Sequence, residues 1–162
     1  TPGVDDGDVL EHEIFDITQW DTCQTIYYKI SIIQKRILER LIPKLISHNF
    51  KKTPQTGEPT FYPKRTPDDG LIDWSKTVIE IYNFVRALTK PYPGAFSYKN
   101  KNRINIWNSQ PFDTKIMYDS PVGQVIEKFS TGDFVVKCTD GLLLITNYDG
   151  EVNVGELLNS SI

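Results

Sequence analysis

Cysteine, methionine and histidine are scarce: two, one and two residues in a chain of 162. Cys23 and Cys138 stand far apart, and no Cys/His set has metal-ligand spacing, so no metal site is expected. Two isolated cysteines read as free thiols of a reducing compartment, which makes the expected location cytoplasmic. No apolar run approaches the roughly 20 residues of a membrane-spanning helix, and no signal peptide precedes the first expected strand. A dominant charge is missing too. There are 18 Lys+Arg against 21 Asp+Glu, a net charge of −3, so no strong field for nucleic acid or an anionic membrane is expected. Lys and Arg are absent from residues 1–28, which carry seven acids. The chain opens on Thr1 inside a turn-like phrase, "TPGVDDGD", which reads as a fragment or a processed product.

What is there has globular texture: 39% hydrophobic and 24% charged, enough for one ordinary domain or two small ones. "VLEHEIFDI" alternates and predicts a strand with Leu10, Ile14 and His12 on one face. "DTCQTIYYKISIIQKRILERL" predicts a long helix, with a capping-box pattern at Asp21 and Gln24. Its core stripe would be Ile26, Ile30, Ile33, Ile37, Leu41 and Leu45. Pro43 predicts a kink or restart and Asn49 a stop. "FKKTPQTGEPT" has the composition of an exposed loop. "SKTVIEIYNFVRALTK" predicts a second helix capped by Ser75 or Thr77, with Glu80 completing a box and Val78, Ile81, Tyr82, Val85 and Leu88 buried; "PYPG" stops it. From Gly94 onward "AFSY", "RINIWNS", "VGQVIEKF", "DFVVKCT" and "GLLLITNY" predict short strands of a small antiparallel barrel or sandwich. "VGELLNSSI" reads as a short closing helix or tail.

Three stretches could carry chemistry. Asp5, Asp6, Gly7 and Asp8 put acids on a turn just before the first expected strand. The plain alternative is an acidic surface turn; EF-hand spacing is absent. "FYPKRTPDDGLIDW", residues 61–74, sets a charged turn between Phe61-Tyr62 and Trp74. Arg65 on that Pro-flanked turn could present its planar fork to a phosphate or carboxylate. The alternative is that it pairs with Asp68 or Asp69 and holds the turn. "RALTKPYPGAF" either carries Arg86 and Tyr92 toward a ligand or is only a helix stop that seats Tyr92 and Phe96 in an interdomain core.

"GVDDGDVL", "RTPDDGLIDW" and "VRALTKPYPGAFSY", in this order, resemble the folate-dependent formyltransferases, which include methionyl-tRNA formyltransferase and the bacterial sugar N-formyltransferases. The resemblance runs through essentially the whole chain, is most specific at residues 62–98, and is closer in "RTPDDG" to the nucleotide-sugar branch. It implies an α+β chain with three parts: residues 1–70 ending a Rossmann-like catalytic domain, residues 71–93 as a connecting helix, and residues 94–162 as an OB-like β-barrel. The 61–74 stretch would be the hinge. The family's catalytic trio is Asn, His and Asp. Asp5 matches the Asp, with Asp6 and Gly7 completing its turn as contacts for the cofactor, 10-formyltetrahydrofolate. The Asn and His belong to an earlier segment with His-Pro and Leu-Pro pairs, in an N-terminal Rossmann portion missing from these 162 residues. His12 and His48 are not followed by Pro and match neither. The chain alone is therefore expected to be inactive. Arg65, Arg86 and Tyr92 are the substrate-binding candidates, for the diphosphate and base of a UDP- or dTDP-linked amino sugar of O-antigen or lipid A (lipopolysaccharide) biosynthesis. A homodimer is left open.

Two rivals stand beside this reading. A fragment of methionyl-tRNA formyltransferase would take a tRNA partner and show a basic barrel face; residues 90–137 hold seven Lys or Arg against four acids, while the barrel region as a whole is slightly acidic. A non-catalytic barrel-type binding module would stack single strands on Trp107, Phe112 and Tyr118, although aromatics of a small barrel more often fill its core.

Overall fold

The computed structural model describes residues 5–159; Pro2 and Gly3 of the expected opening turn and residues 160–162 of the expected tail lie outside them. Packing divides the chain in two. The first unit runs to Asp21 and resumes over residues 25–64, and the second holds Thr22–Gln24 and everything from Arg65 onward. The boundary thus falls inside the 61–74 stretch. Phe61 and Tyr62 are 88% and 87% exposed and clamp nothing, whereas Trp74 is core at 3%.

Helix α1, Cys23–Ile46, forms where the 3–4 spacing predicts it. It passes through Pro43 without a restart, because the ring removes only one backbone donor, and ends with His48, not Asn49, in the left-handed region at φ 54°. Its six stripe residues are only half-buried and the helix has no buried residue. Asp21 does more than cap: its carboxylate accepts from Thr18 N–H at 2.7 Å, Thr18 Oγ1 and Thr25 Oγ1 at 2.9 Å, and Lys29 Nζ at 2.6 Å.

Residues 9–17 do not form the expected strand. One antiparallel bridge, Val9 with Thr53, replaces a ladder, since among the described residues no neighbouring strand pairs with 10–17. The alternation is real but its buried side is inverted. Ile14 is 86% exposed and Leu10 and His12 also face outward. Glu11 and Glu13 instead turn to the basic face of α1, where Glu13 meets Arg36 and Arg40 at 3.0 Å and Glu11 meets Lys44 at 3.3 Å.

The second unit is one helix on one antiparallel sheet. Helix α2, Val78–Leu88, starts at Thr77, whose backbone N–H donates to Glu80 Oε2 at 3.0 Å while its Oγ1 accepts from Glu80 N–H at 3.3 Å. This is the predicted reciprocal cap. Asp140, from a distant turn, accepts a further free amide, Val78 N–H, at 2.7 Å. The strands are β1 Ala95–Lys99, β2 Asn102–Asp113, β3 Val125–Lys128, β4 Phe134–Lys137 and β5 Leu142–Asp149, in the order β1-β2-β5-β4-β3. The last described residues are no helix. Asn159 exchanges backbone bonds with Tyr98 of β1, and Glu156 accepts from Val125 N–H of β3, so residues 156–159 tie both edges of the sheet. Such edges are otherwise open to other chains. Gly123 lets that segment approach: it sits at φ 82°, and a Cβ there would strike Leu158 O and the Trp74 ring.

The core lies between helix and sheet. Val78, Ile81 and Val85 meet Ile104, Ile106, Phe134, Val136, Leu143 and Ile145. Ile72 and Trp74 belong to this core, so residues expected as a connecting helix pack as part of the sheet's own unit. Phe134 is a buried aromatic of that core, and Phe96 is buried outside it, with the Arg103 guanidinium over its ring. Trp107 donates to Asp149 Oδ2 at 2.8 Å with Lys90 Nζ 5.3 Å from its ring centroid. Phe112 and Tyr118 are 44% and 46% exposed.

Candidate functional site

The Asp5–Gly7 turn is exposed at Asp5 and Asp6. Asp5 holds φ 58°, the left-handed region that Asp adopts more readily than most residues. A side chain the sequence reading passed over fixes this turn. Gln55 Nε2 donates to Asp5 O at 2.9 Å and to Gly7 O at 2.7 Å. With the Val9–Thr53 bridge two residues away, the 49–57 loop is thereby docked on the turn. A Gln among polar loop residues gives no sequence signal; only the fold brings it to the two carbonyls. The Asp5 and Asp6 residues are exposed.

The second unit has its own cavity, of about 460 Å³, whose lining includes Arg65, Thr66, Asp69, Phe84, Leu88 and Tyr92. Its floor is the α2 face bearing Phe84 and Leu88, and its rim is a single turn of 3-10 helix, Pro67–Gly70. That turn is built locally. Thr66 N–H and Oγ1 both donate to Asp69 Oδ2, at 2.5 and 3.1 Å, the short capping pattern legible in "TPDD". Gly70 closes it against Gly94 O, where a Cβ would not fit. The Thr66 backbone and hydroxyl, and more weakly the Arg65 charge, hold the Asp69 carboxyl below its usual range.

Arg65 and Tyr92, 27 positions apart, therefore share one cavity. Among the described residues Arg65 makes no ion pair within 4 Å and no hydrogen bond; its link to Asp69 is a weaker, longer-range charge interaction. Tyr92 is 44% exposed at the cavity mouth. Arg86 is elsewhere. It lies off the cavity lining, donates to Asn83 Oδ1 at 2.7 Å and stacks on Tyr82 at 5.5 Å. The helical period explains this, since 84, 87 and 88 share a face that 86 does not. Among the described residues no group of His, Cys, Asp and Glu is arranged to hold a metal. Both cysteines are free thiols; burial, and then the Asp140 charge, push the Cys138 thiol up to about 12.

Residues 64–159 match the family described as formyl transferase, C-terminal domain. Three solved structures are similar. HypX from Aquifex aeolicus, in complex with tetrahydrofolic acid, is 21% identical with a TM-score of 0.73, over 91% of this chain and 25% of its own. The N-formyltransferase from Helicobacter canadensis, in complex with folinic acid and dTDP-3-aminofucose, is 23% identical with a TM-score of 0.63, over 95% of this chain and 52% of its own. Methionyl-tRNA formyltransferase from Clostridium thermocellum is 25% identical with a TM-score of 0.54, over 75% of this chain and 52% of its own. The first two likenesses are of fold. The chain spans about a quarter of HypX and about half of the other two. With the match covering more than half of the 162 residues, the chain belongs to the formyltransferase C-terminal-domain family.

Proposed function

We propose that this chain is the C-terminal part of an N-formyltransferase that formylates the amino group of a nucleotide-linked amino sugar, with 10-formyltetrahydrofolate as donor. The observation that carries the reading is the cavity in which Arg65, in no ion pair within 4 Å, and a half-exposed Tyr92 meet an apolar floor: a guanidinium suits a diphosphate and an aromatic face suits a base. The similar structures bound to tetrahydrofolic acid, folinic acid and a dTDP-amino sugar support the same chemistry. Asp5, Asp6 and Gly7 would hold the folate, whose contribution when bound is the formyl group. An amine attacks only as the free base, so a proton must leave it. Asp5 is the carboxylate assigned to that task, orienting a histidine that the resemblance places in an earlier segment. Gln55 keeps the turn in shape for it, and Arg65 anchors the substrate. The sheet of the second unit would be the family's OB-like barrel, and O-antigen or lipid A sugars the substrate class.

The test is formyl transfer by the complete enzyme to UDP- and dTDP-linked amino sugars and to charged initiator tRNA. Asp5→Asn should lower turnover by roughly two to four decades while shifting stability by no more than about 1 kcal/mol, since the residue is exposed. The 162 residues alone should give no turnover. Near-normal activity of the variant would remove Asp5 from the mechanism, and transfer to tRNA alone would replace the sugar by the tRNA reading.

A further inference from the structure

We propose that Gln55 is a positioning residue for formyl transfer: the two N–H donors of its amide hold the Asp5–Gly7 turn in the backbone form from which Asp5 acts. This rests on the reading above, in which Asp5 is the working carboxylate, and adds to it the group that sets turnover through Asp5 without touching a reactant. Gln55 Nε2 donates to Asp5 O at 2.9 Å and to Gly7 O at 2.7 Å. Both partners are carbonyl oxygens, which only the NH2 end of the amide can serve. One planar group thus spans the carbonyls on either side of Asp6 and fixes their separation. Asp5 needs such a hold. It stands at φ 58°, and a residue with a Cβ keeps a left-handed backbone where its surroundings impose it.

The clamp has two parts. Val9 and Thr53 exchange backbone hydrogen bonds at 2.8 and 2.9 Å, so the 49–57 loop is rooted beside the turn whatever side chain stands at 55. The Gln55 amide then reaches the carbonyls of the turn itself. Its neutrality matters as well. Asp5, Asp6 and Asp8 crowd this turn, and a Lys or Arg in place of Gln55 would be drawn to their carboxylates. An amide supplies donors to the backbone and leaves the Asp5 carboxylate outside any ion pair, as it stands among the described residues. Gln55 is exposed, so its bonds add little to global stability. Their effect falls on the local form of the turn, where about 1 Å of misplacement of a reacting group can lower a rate by roughly 10²-fold.

The experiment measures formyl transfer by the complete enzyme, and by its Q55A, Q55E, D5N and Q55A/D5N variants, to the UDP- or dTDP-linked amino sugar that it turns over, with urea midpoints alongside. Q55A should lower kcat about tenfold, leave the KM for the sugar nucleotide within about twofold, and keep the urea midpoint. Q55E keeps the size of the side chain but, ionised, sets an acceptor against two carbonyl oxygens, so it should be at least as slow as Q55A. With D5N already in place, adding Q55A should cost less than about twofold more, because its effect runs through Asp5. Full turnover by Q55A or Q55E, a tenfold loss that persists in the D5N background, or a loss matched by a fallen urea midpoint would overturn the assignment of Gln55 alone. Near-normal turnover by D5N would instead overturn the Asp5 reading beneath it.

Discussion

Asp21 shows what one carboxylate can do at the start of a helix. It is 4% exposed and accepts hydrogen bonds from Thr18, Thr25 and the Lys29 ammonium. The Lys29 bond first, then those of Thr18 and Thr25, hold its carboxyl far below the ordinary carboxylate range. A folded pKa below the unfolded value means stability that is present above the unfolded pKa, about 4, and is lost as pH falls toward the folded one. Asp21→Asn cannot ionise and should be less stable than the unvaried chain at pH 7. The gap should narrow steadily below about pH 4, as the unvaried chain loses its ionic form. Urea midpoints measured across that range would check it; a gap constant with pH would mean that the hydrogen-bond geometry, not the charge, carries the effect. The sequence marked Asp21 as a cap and gave no hint of Lys29, because a pair eight positions apart across the helix start follows no helical spacing rule.

At the level of elements, two helices of similar pattern differ in what they bury. The stripe of α2 is sealed against the sheet, with Ile81 at 2% exposure. That of α1 is half-buried throughout. Ile81→Ala should therefore cost about 2–5 kcal/mol, and Ile37→Ala much less, nearer the 0.5 kcal/mol of a surface change. Denaturant unfolding of both variants of this chain decides it. A large loss at Ile37 would mean that its stripe is covered in solution. Periodicity and capping made both helices and all five strands legible, since those signals are local. Strand order was not legible, nor was the way residues 156–159 tie β1 to β3, because these depend on partners far along the chain. Residues 9–17 misled for a physical reason: alternation marks two faces but does not say which is buried, and here an acidic face outcompetes Leu10 and Ile14 by meeting Arg36, Arg40 and Lys44. Of the site, Arg65 and Tyr92 were legible as residue types on a motif, and the Thr66–Asp69 pattern was visible but unused. Leu88 read only as part of the buried stripe of α2 and Phe84 was passed over; Arg86, on another face of α2, lies off the lining of this cavity.

For the whole molecule the question is which partner its charge admits. A net charge of −3 offers no broad field, so binding must come from a few placed groups, among them Arg65, which lines a cavity and makes no ion pair within 4 Å among the described residues. If that arginine grips a diphosphate, it does so through charge-assisted and geometrically matched hydrogen bonds. Arg65→Ala in the complete enzyme should then raise the KM for an amino sugar nucleotide by about ten- to a hundredfold, or roughly 1.4–2.7 kcal/mol. The KM for the folate donor should hardly move, because the folate is assigned to the Asp5 turn, away from Arg65 in sequence and in a separate unit. Salt should weaken the nucleotide only modestly, since one diphosphate has few counterions to release. A tRNA would behave otherwise. Many phosphates would be contacted, log K would fall steeply with log salt, and removing one arginine would lower the slope by only about one. Salt titrations of both substrates, with and without Arg65, separate the two cases. A steep slope with initiator tRNA, together with no binding of any nucleotide sugar, would transfer the cavity's arginine from a diphosphate to an RNA backbone.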